Sequence, residues 1–291
     1  MRVKVNDTEL FVDIDGAEWV PDGAQMRRRP TLILLHGGPG LDHSSFKAEL
    51  NMLADMAQLV YVDHRGNGRS GRATPDTWNL DQWADDVRGL CEVLGIERPI
   101  VMGQSFGGFV AQVYAARHPG HAGGLIFSST SGRFTPERNL AVFERLGGIT
   151  ARDSAAAFYD NPSMETVVPF LQNCMSLYNT KFSDPDGMSR SIVNIEVLLH
   201  FFANEYRDCN LLPGLKNIAC PTLVLGGEDD PTTPIEDQAD IAAAVPANLV
   251  TFHRFKECGH GAYRDCPDET LPILRKFMAR CQAEIGDGED N

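Results

Sequence analysis

The chain has 291 residues, which is long for one domain, although α/β folds of this length often form a single core with an insertion. Hydrophobic residues make up 43% of it, and the formal net charge is −14 at neutral pH. This acidity argues against nucleic acid, which binds basic surfaces, and against anionic membranes as partners.

The seven cysteines are odd in number and form no Cys-x-x-Cys pair, a pattern that favours reduced thiols over a disulfide framework. The N-terminal residues show no signal-peptide pattern, and no apolar run approaches the roughly 18 residues that a membrane helix needs. We therefore expect a cytoplasmic protein. Neither a metal-binding motif nor a Gly-x-Gly-x-x-Gly loop occurs, so no metal or cofactor is expected.

Short apolar runs alternate with helical patterns along the chain, which is typical of a parallel sheet covered by helices. One helix is predicted from Phe109 to Arg117, a few residues after the predicted strand that ends at Met102. The predicted strands are Thr31 to Leu35, Leu59 to Val62, Pro99 to Met102, Gly124 to Phe127, Thr222 to Leu225 and Asn248 to Phe255.

Between residues 131 and 214 the strand pattern stops, and helix-like stretches such as Ile192 to Phe202 take its place. These could be further helices of the main layer, but long insertions near a site tend to form lids. We therefore predict a helical cap at 131–214, a core formed by 1–130 and 215–285, and a disordered tail at 286–291.

The most informative short motif is Gly103-Gln104-Ser105-Phe106-Gly107, which lies between a predicted strand and a predicted helix. A serine hydroxyl is a weak nucleophile and must be held where a base can reach it. A sharp strand-to-helix turn does this, and its crowding requires glycines nearby. The pentapeptide recurs by chance, but its setting favours Ser105 as a nucleophile.

A second glycine-rich segment, His36-Gly37-Gly38-Pro39-Gly40, follows the first predicted strand. A tetrahedral intermediate needs preorganised N–H donors for its oxyanion. The amide of Phe106 is one candidate, and Gly38 is the favoured second donor, with Gly37 as the alternative. His43, just after this loop, could contact substrate.

A base and an acid should complete the set, in the chain order serine, acid, histidine. Among eight histidines, His260 follows a strand-like run and lies between two glycines. Three acids compete for the third position, because Glu228, Asp229 and Asp230 all follow the strand that ends at Leu225.

These segments together resemble the α/β-hydrolase superfamily, and specifically its proline iminopeptidase-like branch. Relatives carry the pattern Gly-x-x-Asp with proline four residues after the aspartate, and this selects Asp230 because Gly227 and Pro234 match. The resemblance implies an α/β-hydrolase fold, with a mostly parallel sheet, helices on both faces and an inserted helical cap. It also implies a Ser105, Asp230 and His260 triad that cleaves a small amide or ester through an acyl-enzyme.

The substrate is less well defined by this resemblance. Proline iminopeptidases hold a free α-amine with acidic residues, and Glu196 and Glu205 in the predicted cap are candidates for that role. Where some relatives have a glutamate after the aspartate, this chain has Pro231. An N-terminal amino-acid amide is therefore one candidate substrate. The alternatives are an esterase or lactonase acting on uncharged acyl groups, and a non-catalytic binding protein on the same scaffold.

Overall fold

The computed structural model of the chain describes residues 1–181 and 184–286. The strands in these ranges are β1 (Arg2–Val5), β2 (Thr8–Asp15), β3 (Trp19–Asp22), β4 (Gln25–Arg28), β5 (Thr31–Leu35), β6 (Gln58–Asp63), β7 (Ile100–Gln104), β8 (Gly124–Ser128), β9 (Thr222–Gly227) and β10 (Val250–Phe255). The α-helices are α1 (Ser44–Leu50), α2 (Leu80–Leu94), α3 (Phe106–Arg117), α4 (Pro136–Asp160), α5 (Met164–Cys174), α6 (Gly187–Arg190), α7 (Ile195–His200), α8 (Leu212–Leu215), α9 (Ile235–Ala244), α10 (Ala262–Asp265) and α11 (Pro267–Gly286).

Eight of these strands form one sheet in the order β1-β2-β6-β5-β7-β8-β9-β10. The pairings β1–β2 and β2–β6 are antiparallel, and all the others in the sheet are parallel. The predicted α/β class with a mostly parallel sheet is confirmed, and all six predicted strands occur within two residues of their predicted starts. The antiparallel strands β1 to β4 were not predicted.

The sheet is buried because helices cover both of its faces. Alternate residues of a strand point to opposite faces. Ile33 of β5 accordingly belongs to the apolar cluster with α2 and α3, whereas its neighbour Leu34 belongs to the cluster with α1 and α11. Strands buried on both faces read as continuous apolar runs, which is why these strands could be located from the sequence.

The interval between β8 and β9 contains α4 to α8, and within its described residues no strand is formed, apart from an isolated bridge between Arg133 and Asn210. The helices α4 and α5 have their own apolar cluster, which includes Phe143, Phe158 and Phe170. This cluster supports the division into a core and a cap at 131–214, which remains a prediction. Of the predicted tail, Gly286 ends α11, and 287–291 lie outside the described residues.

Candidate active site

Ser105 occupies the turn between β7 and α3, and its backbone has φ of +53°. A non-glycine residue in this region is strained, and such strain persists only where the surroundings fix it. Here the Ser105 N–H donates to the carbonyl oxygen of Ser128 over 3.0 Å, and Thr130 Oγ1 donates to the Ser105 carbonyl over 2.8 Å. The turn is therefore held from the neighbouring strand.

The glycines around Ser105 leave no space for a side chain. A Cβ atom on Gly107 would overlap the carbonyl oxygens of Leu35 and His36, and one on Gly103 would overlap the backbone of Gly107. The Gly-x-Ser-x-Gly spacing is therefore a packing requirement of this turn, as expected for a serine raised between a strand and a helix.

His260 lies in the loop between β10 and α10 and is 5% exposed. Its backbone N–H donates to the Tyr178 carbonyl oxygen over 2.5 Å, and the Tyr178 ring packs edge-on against the imidazole with centroids 5.4 Å apart. Its Nδ1 atom lies 2.9 Å from Asp230 Oδ2. This contact fixes Nδ1 as the protonated nitrogen and leaves Nε2 as the basic one.

Asp230 is fully buried and is held by two threonines. The backbone N–H groups of Thr232 and Thr233 each donate to Oδ1 over 2.9 Å, and Thr233 Oγ1 donates to Oδ2 over 2.7 Å. Burial raises the pKa of Asp230, but the charge and hydrogen bond of His260 and the Thr233 donors outweigh it, so the pKa lies below its usual value. Asp230 is therefore an anion beside His260.

The two competing acids are directed elsewhere. Asp229 pairs with Arg145 over 2.6 Å, and Glu228 lies 3.5 Å from Arg254. Of the three acids that follow β9, Asp230 is therefore the one in contact with His260. Ser105 and His260 line one cavity of about 480 Å³, together with Gly37, Gly38 and Phe106.

The loop after β5 lies against the serine turn. A Cβ atom on Gly37 would come within 3.0 Å of Ser105 Cβ, and Gly38 has φ of +52°, where glycine is favoured. Phe106 is the first residue of α3, so its N–H has no acceptor within the helix. In the described part of the chain, neither the Phe106 nor the Gly38 amide donates a hydrogen bond. Both amides are available to an oxyanion in this cavity.

Buried polar groups fix that loop from behind. His36 Nδ1 donates to the Gly37 carbonyl oxygen over 2.9 Å, while its Nε2 accepts from the His64 N–H over 3.2 Å. Asn67 Oδ1 accepts from the Gly40 N–H over 2.5 Å. Burial lowers the pKa of His36, so it is a neutral, structural histidine. The segment that begins at Asp63 therefore positions the loop formed by His36 to Gly40.

The family model for the alpha/beta hydrolase fold matches residues 30–265. The chain belongs to this family. It is therefore a hydrolase of the α/β-hydrolase family. As a separate observation, none of the helices among its described residues has the length and apolar character needed to cross a bilayer.

Individual relatives agree with this membership. The proline iminopeptidase PfmaB of Pestalotiopsis fici is 28% identical over 250 residues, which cover 81% of this chain and 87% of the relative. The crystal structure of proline iminopeptidase from Mycobacterium smegmatis superposes with a TM-score of 0.76 at 24% identity, covering 98% of this chain and 99% of the other. The enol-lactonase of Burkholderia xenovorans LB400 has a TM-score of 0.67 at 22% identity, with 96% and 100% covered. The resemblance to the proline iminopeptidase-like branch is confirmed.

Three residues predicted to contact substrate do not line the cavity of this hydrolase. His43 donates from its backbone N–H and from Nδ1 to Asp63 Oδ1, over 2.9 and 2.6 Å, and stacks on Phe11. Glu205 Oε2 accepts from the Leu80 N–H over 3.0 Å and so caps α2. Glu196 is exposed on α7. The structure thus gives His43 and Glu205 structural contacts and leaves Glu196 in solvent.

Other residues at the cavity were not singled out from the sequence. Thr232 and Thr233, which hold Asp230, belong to the acid motif and could have been found from its two consecutive hydroxyl residues. Glu49 on α1 also lines the cavity of this hydrolase, as does Arg264 beyond His260. A glutamate on a short amphipathic helix usually indicates a solvated face, so no local pattern marks Glu49.

Proposed function

We propose that this protein is a serine hydrolase that cleaves a small amide or ester through an acyl-enzyme, with Ser105, His260 and Asp230 as its triad. The observation that carries the proposal is the 2.9 Å contact between His260 Nδ1 and Asp230 Oδ2, beside a cavity that Ser105 also lines. A strained serine, an oriented imidazole and a buried carboxylate together support nucleophilic catalysis.

The mechanism follows from these positions. Ser105 Oγ attacks the substrate carbonyl while His260 Nε2 takes its proton, and Asp230 stabilises the imidazolium that forms. The Phe106 and Gly38 amides donate to the oxyanion, with Gly37 as the alternative donor, and the dipole of α3 favours the same negative charge. His260 then protonates the leaving group, and water activated by the same nitrogen releases the acid from Ser105.

The substrate class has two candidates. The proline iminopeptidase relatives favour an N-terminal amino-acid amide, although neither Glu196 nor Glu205 lies where it could hold the α-amine. The mainly aromatic part of the cavity, which includes Phe158, Phe170 and Phe202, favours an esterase or lactonase acting on uncharged acyl groups. Turnover of proline and alanine p-nitroanilides against p-nitrophenyl esters and acyl lactones separates the two. Loss of activity on blocking the α-amine would favour the peptidase.

The triad is tested by the Ser105→Ala variant. We expect it to keep the wild-type melting temperature, to lose turnover of p-nitrophenyl butyrate and to lose labelling by a fluorophosphonate. Ser176→Ala is the matched control, because Ser176 lines the same cavity and no hydrogen bond joins it to His260 among the described residues. Wild-type turnover in Ser105→Ala would overturn the mechanism. Absence of labelling in the wild-type protein would favour the non-catalytic binding protein.

We also propose that the protein is cytoplasmic. All seven cysteines are free and buried, and burial raises the pKa of thiols such as Cys91, to about 12, and Cys174, to about 11. Reduced, protonated thiols agree with a cytoplasmic setting. The proposed partner is a small molecule or a short peptide.

A further inference from the structure

The cavity beside Ser105 has two chemically different parts. Aromatic rings form the part next to the serine turn, where the Phe201 ring lies 5.1 Å from Phe106 and 5.8 Å from Phe109 between centroids. Charged side chains line another part, where Arg264 donates to the His260 backbone carbonyl oxygen and Glu49 lies close enough to Arg264 to feel its charge. A molecule that fills the cavity therefore meets an apolar surface at one end and charges at the other.

The charged side chains in this second part of the cavity differ in whether they have an oppositely charged partner. Asp184 and Arg190 form an ion pair with each other. Arg264 lies over the Tyr263 ring, 5.4 Å from its centroid, in addition to its bond to His260. Glu49, by contrast, has no ion-pair partner within 4 Å among the described residues, and the hydrogen bond that favours its charge comes from its own backbone.

The surroundings of Glu49 also disfavour its charge. Burial raises its pKa and nearby Asp184 adds to this, while the backbone N–H of Glu49 itself and the charges of Arg264 and Arg190 offset only part of the effect. A half-buried carboxylate without an ion-pair partner gains more from a bound cation than a solvated one does, because the cation replaces lost hydration.

We propose that Glu49 binds a cationic group on the leaving-group side of the substrate, so that the preferred substrates join an apolar acyl group to an alcohol or amine that carries an ammonium. The inference rests on the proposed function. His260 delivers a proton to the leaving group, so the departing atom lies at His260 and the rest of that group extends along the adjoining charged lining. The acyl group then lies against the aromatic rings near Phe106.

The test compares three butyryl esters with the same acyl group and leaving groups of similar shape. These are butyrylcholine, its uncharged analogue 3,3-dimethylbutyl butyrate, and the anionic 2-sulfoethyl butyrate. For the wild-type protein we expect kcat/KM for the cationic ester to exceed that for the uncharged one by about tenfold, the effect of one charge-assisted contact. The anionic ester should be the poorest of the three.

The Glu49→Gln variant should bring the cationic-to-uncharged ratio close to one. Because the ratio is taken within one protein, a general loss of activity in the variant does not affect it. Glu196→Gln is the matched control, since this glutamate is exposed on α7 and does not line the cavity. It should keep the wild-type ratio.

Failure of this inference can be distinguished from failure of the proposed function. If a fluorophosphonate labels Ser105 and p-nitrophenyl butyrate is hydrolysed, but cationic and uncharged esters react equally or the anionic ester reacts fastest, the role of Glu49 is overturned while the serine hydrolase stands. Calorimetric binding of the two esters to Ser105→Ala needs no turnover, and equal affinities would overturn it as well. The inference would also be overturned if Glu49→Gln keeps the cationic-to-uncharged ratio but no longer distinguishes aminoacyl p-nitroanilides with a free α-amine from those with a blocked one. The Glu49 carboxylate would then bind the acyl part of the substrate.

Discussion

Asp230 Oδ2 and His260 Nδ1 are 2.9 Å apart, and the carboxylate that makes this contact is completely buried. Among the described residues, the other donors to this carboxylate are Thr232 and Thr233, which follow Asp230 directly in the loop after β9. The acid is therefore fixed by its own loop, and the histidine is oriented against a carboxylate that cannot turn away.

The first prediction concerns this contact. Asp230→Asn should lower kcat/KM by about ten-thousand-fold, because an amide at this position favours the wrong imidazole tautomer. Asp229→Asn should change it by less than about threefold, since its pair with Arg145 lies at the surface. The measurement is steady-state hydrolysis of p-nitrophenyl butyrate. The reverse ranking of the two variants would assign the acid to Asp229.

The second prediction concerns the capping contact of Glu205. Glu205→Ala removes the acceptor of the Leu80 N–H and should lower the free energy of unfolding by about 1 kcal/mol, measured in urea. Its kinetic constants should stay at wild-type values, because the side chain is outside the cavity. Glu196→Ala, at an exposed position, should change neither property. A raised KM for substrates with a free α-amine in Glu205→Ala would return this residue to the site.

The third prediction concerns acid stability and Asp63. Burial raises the pKa of this carboxyl, but hydrogen bonds from the His43 side chain and the Arg69 backbone N–H bring it from 3.8 down to about 2. Since the folded-state pKa is below the unfolded one, the stabilisation is complete above about pH 4 and is lost as the pH falls through about 2. It amounts to about 2 kcal/mol.

Asp63→Asn should accordingly lower the free energy of unfolding at pH 7 by about that amount and flatten its decrease between pH 4 and 2. Asp55→Asn is the control, because Asp55 is exposed and pairs only with Arg275 in the described part of the chain. Urea unfolding at several pH values measures both variants. If the free energy of unfolding of Asp63→Asn falls between pH 4 and 2 as steeply as that of the wild type, other carboxyls must cause the loss of stability in acid.

Much of this molecule could be predicted from local sequence because the physical causes are local. The strands β5 and β7 are buried on both faces, so they appear as uninterrupted apolar runs. The turn at Ser105 has no space at Gly103 or Gly107, and this requirement is visible as a motif. Asp230 needed more than local reasoning, since three consecutive acids fit a strand end equally well until a family pattern separated them.

The residues that line the cavity could not be predicted in the same way. Glu196 and Glu205 are acids in the predicted cap, but which helix face meets the cavity depends on packing among α4, α5 and α7. His43 comes only three residues after Gly40 in the chain. Its side chain nevertheless bonds to the buried carboxylate of Asp63, 20 residues further along, and does not line the cavity. Tertiary contacts of this kind leave no periodic signal in the chain.

The bond from the His260 backbone to the Tyr178 carbonyl joins the proposed base to the segment that follows α5. The predicted cap and the proposed base are therefore connected through this contact, so a shift of one is expected to disturb the other. A substitution in the predicted cap that never meets substrate is therefore expected to alter the rate of the proposed chemical step through these contacts with His260. Kinetic effects of changes around Tyr178 should consequently be interpreted as effects on the alignment of the imidazole as well as on access to the cavity.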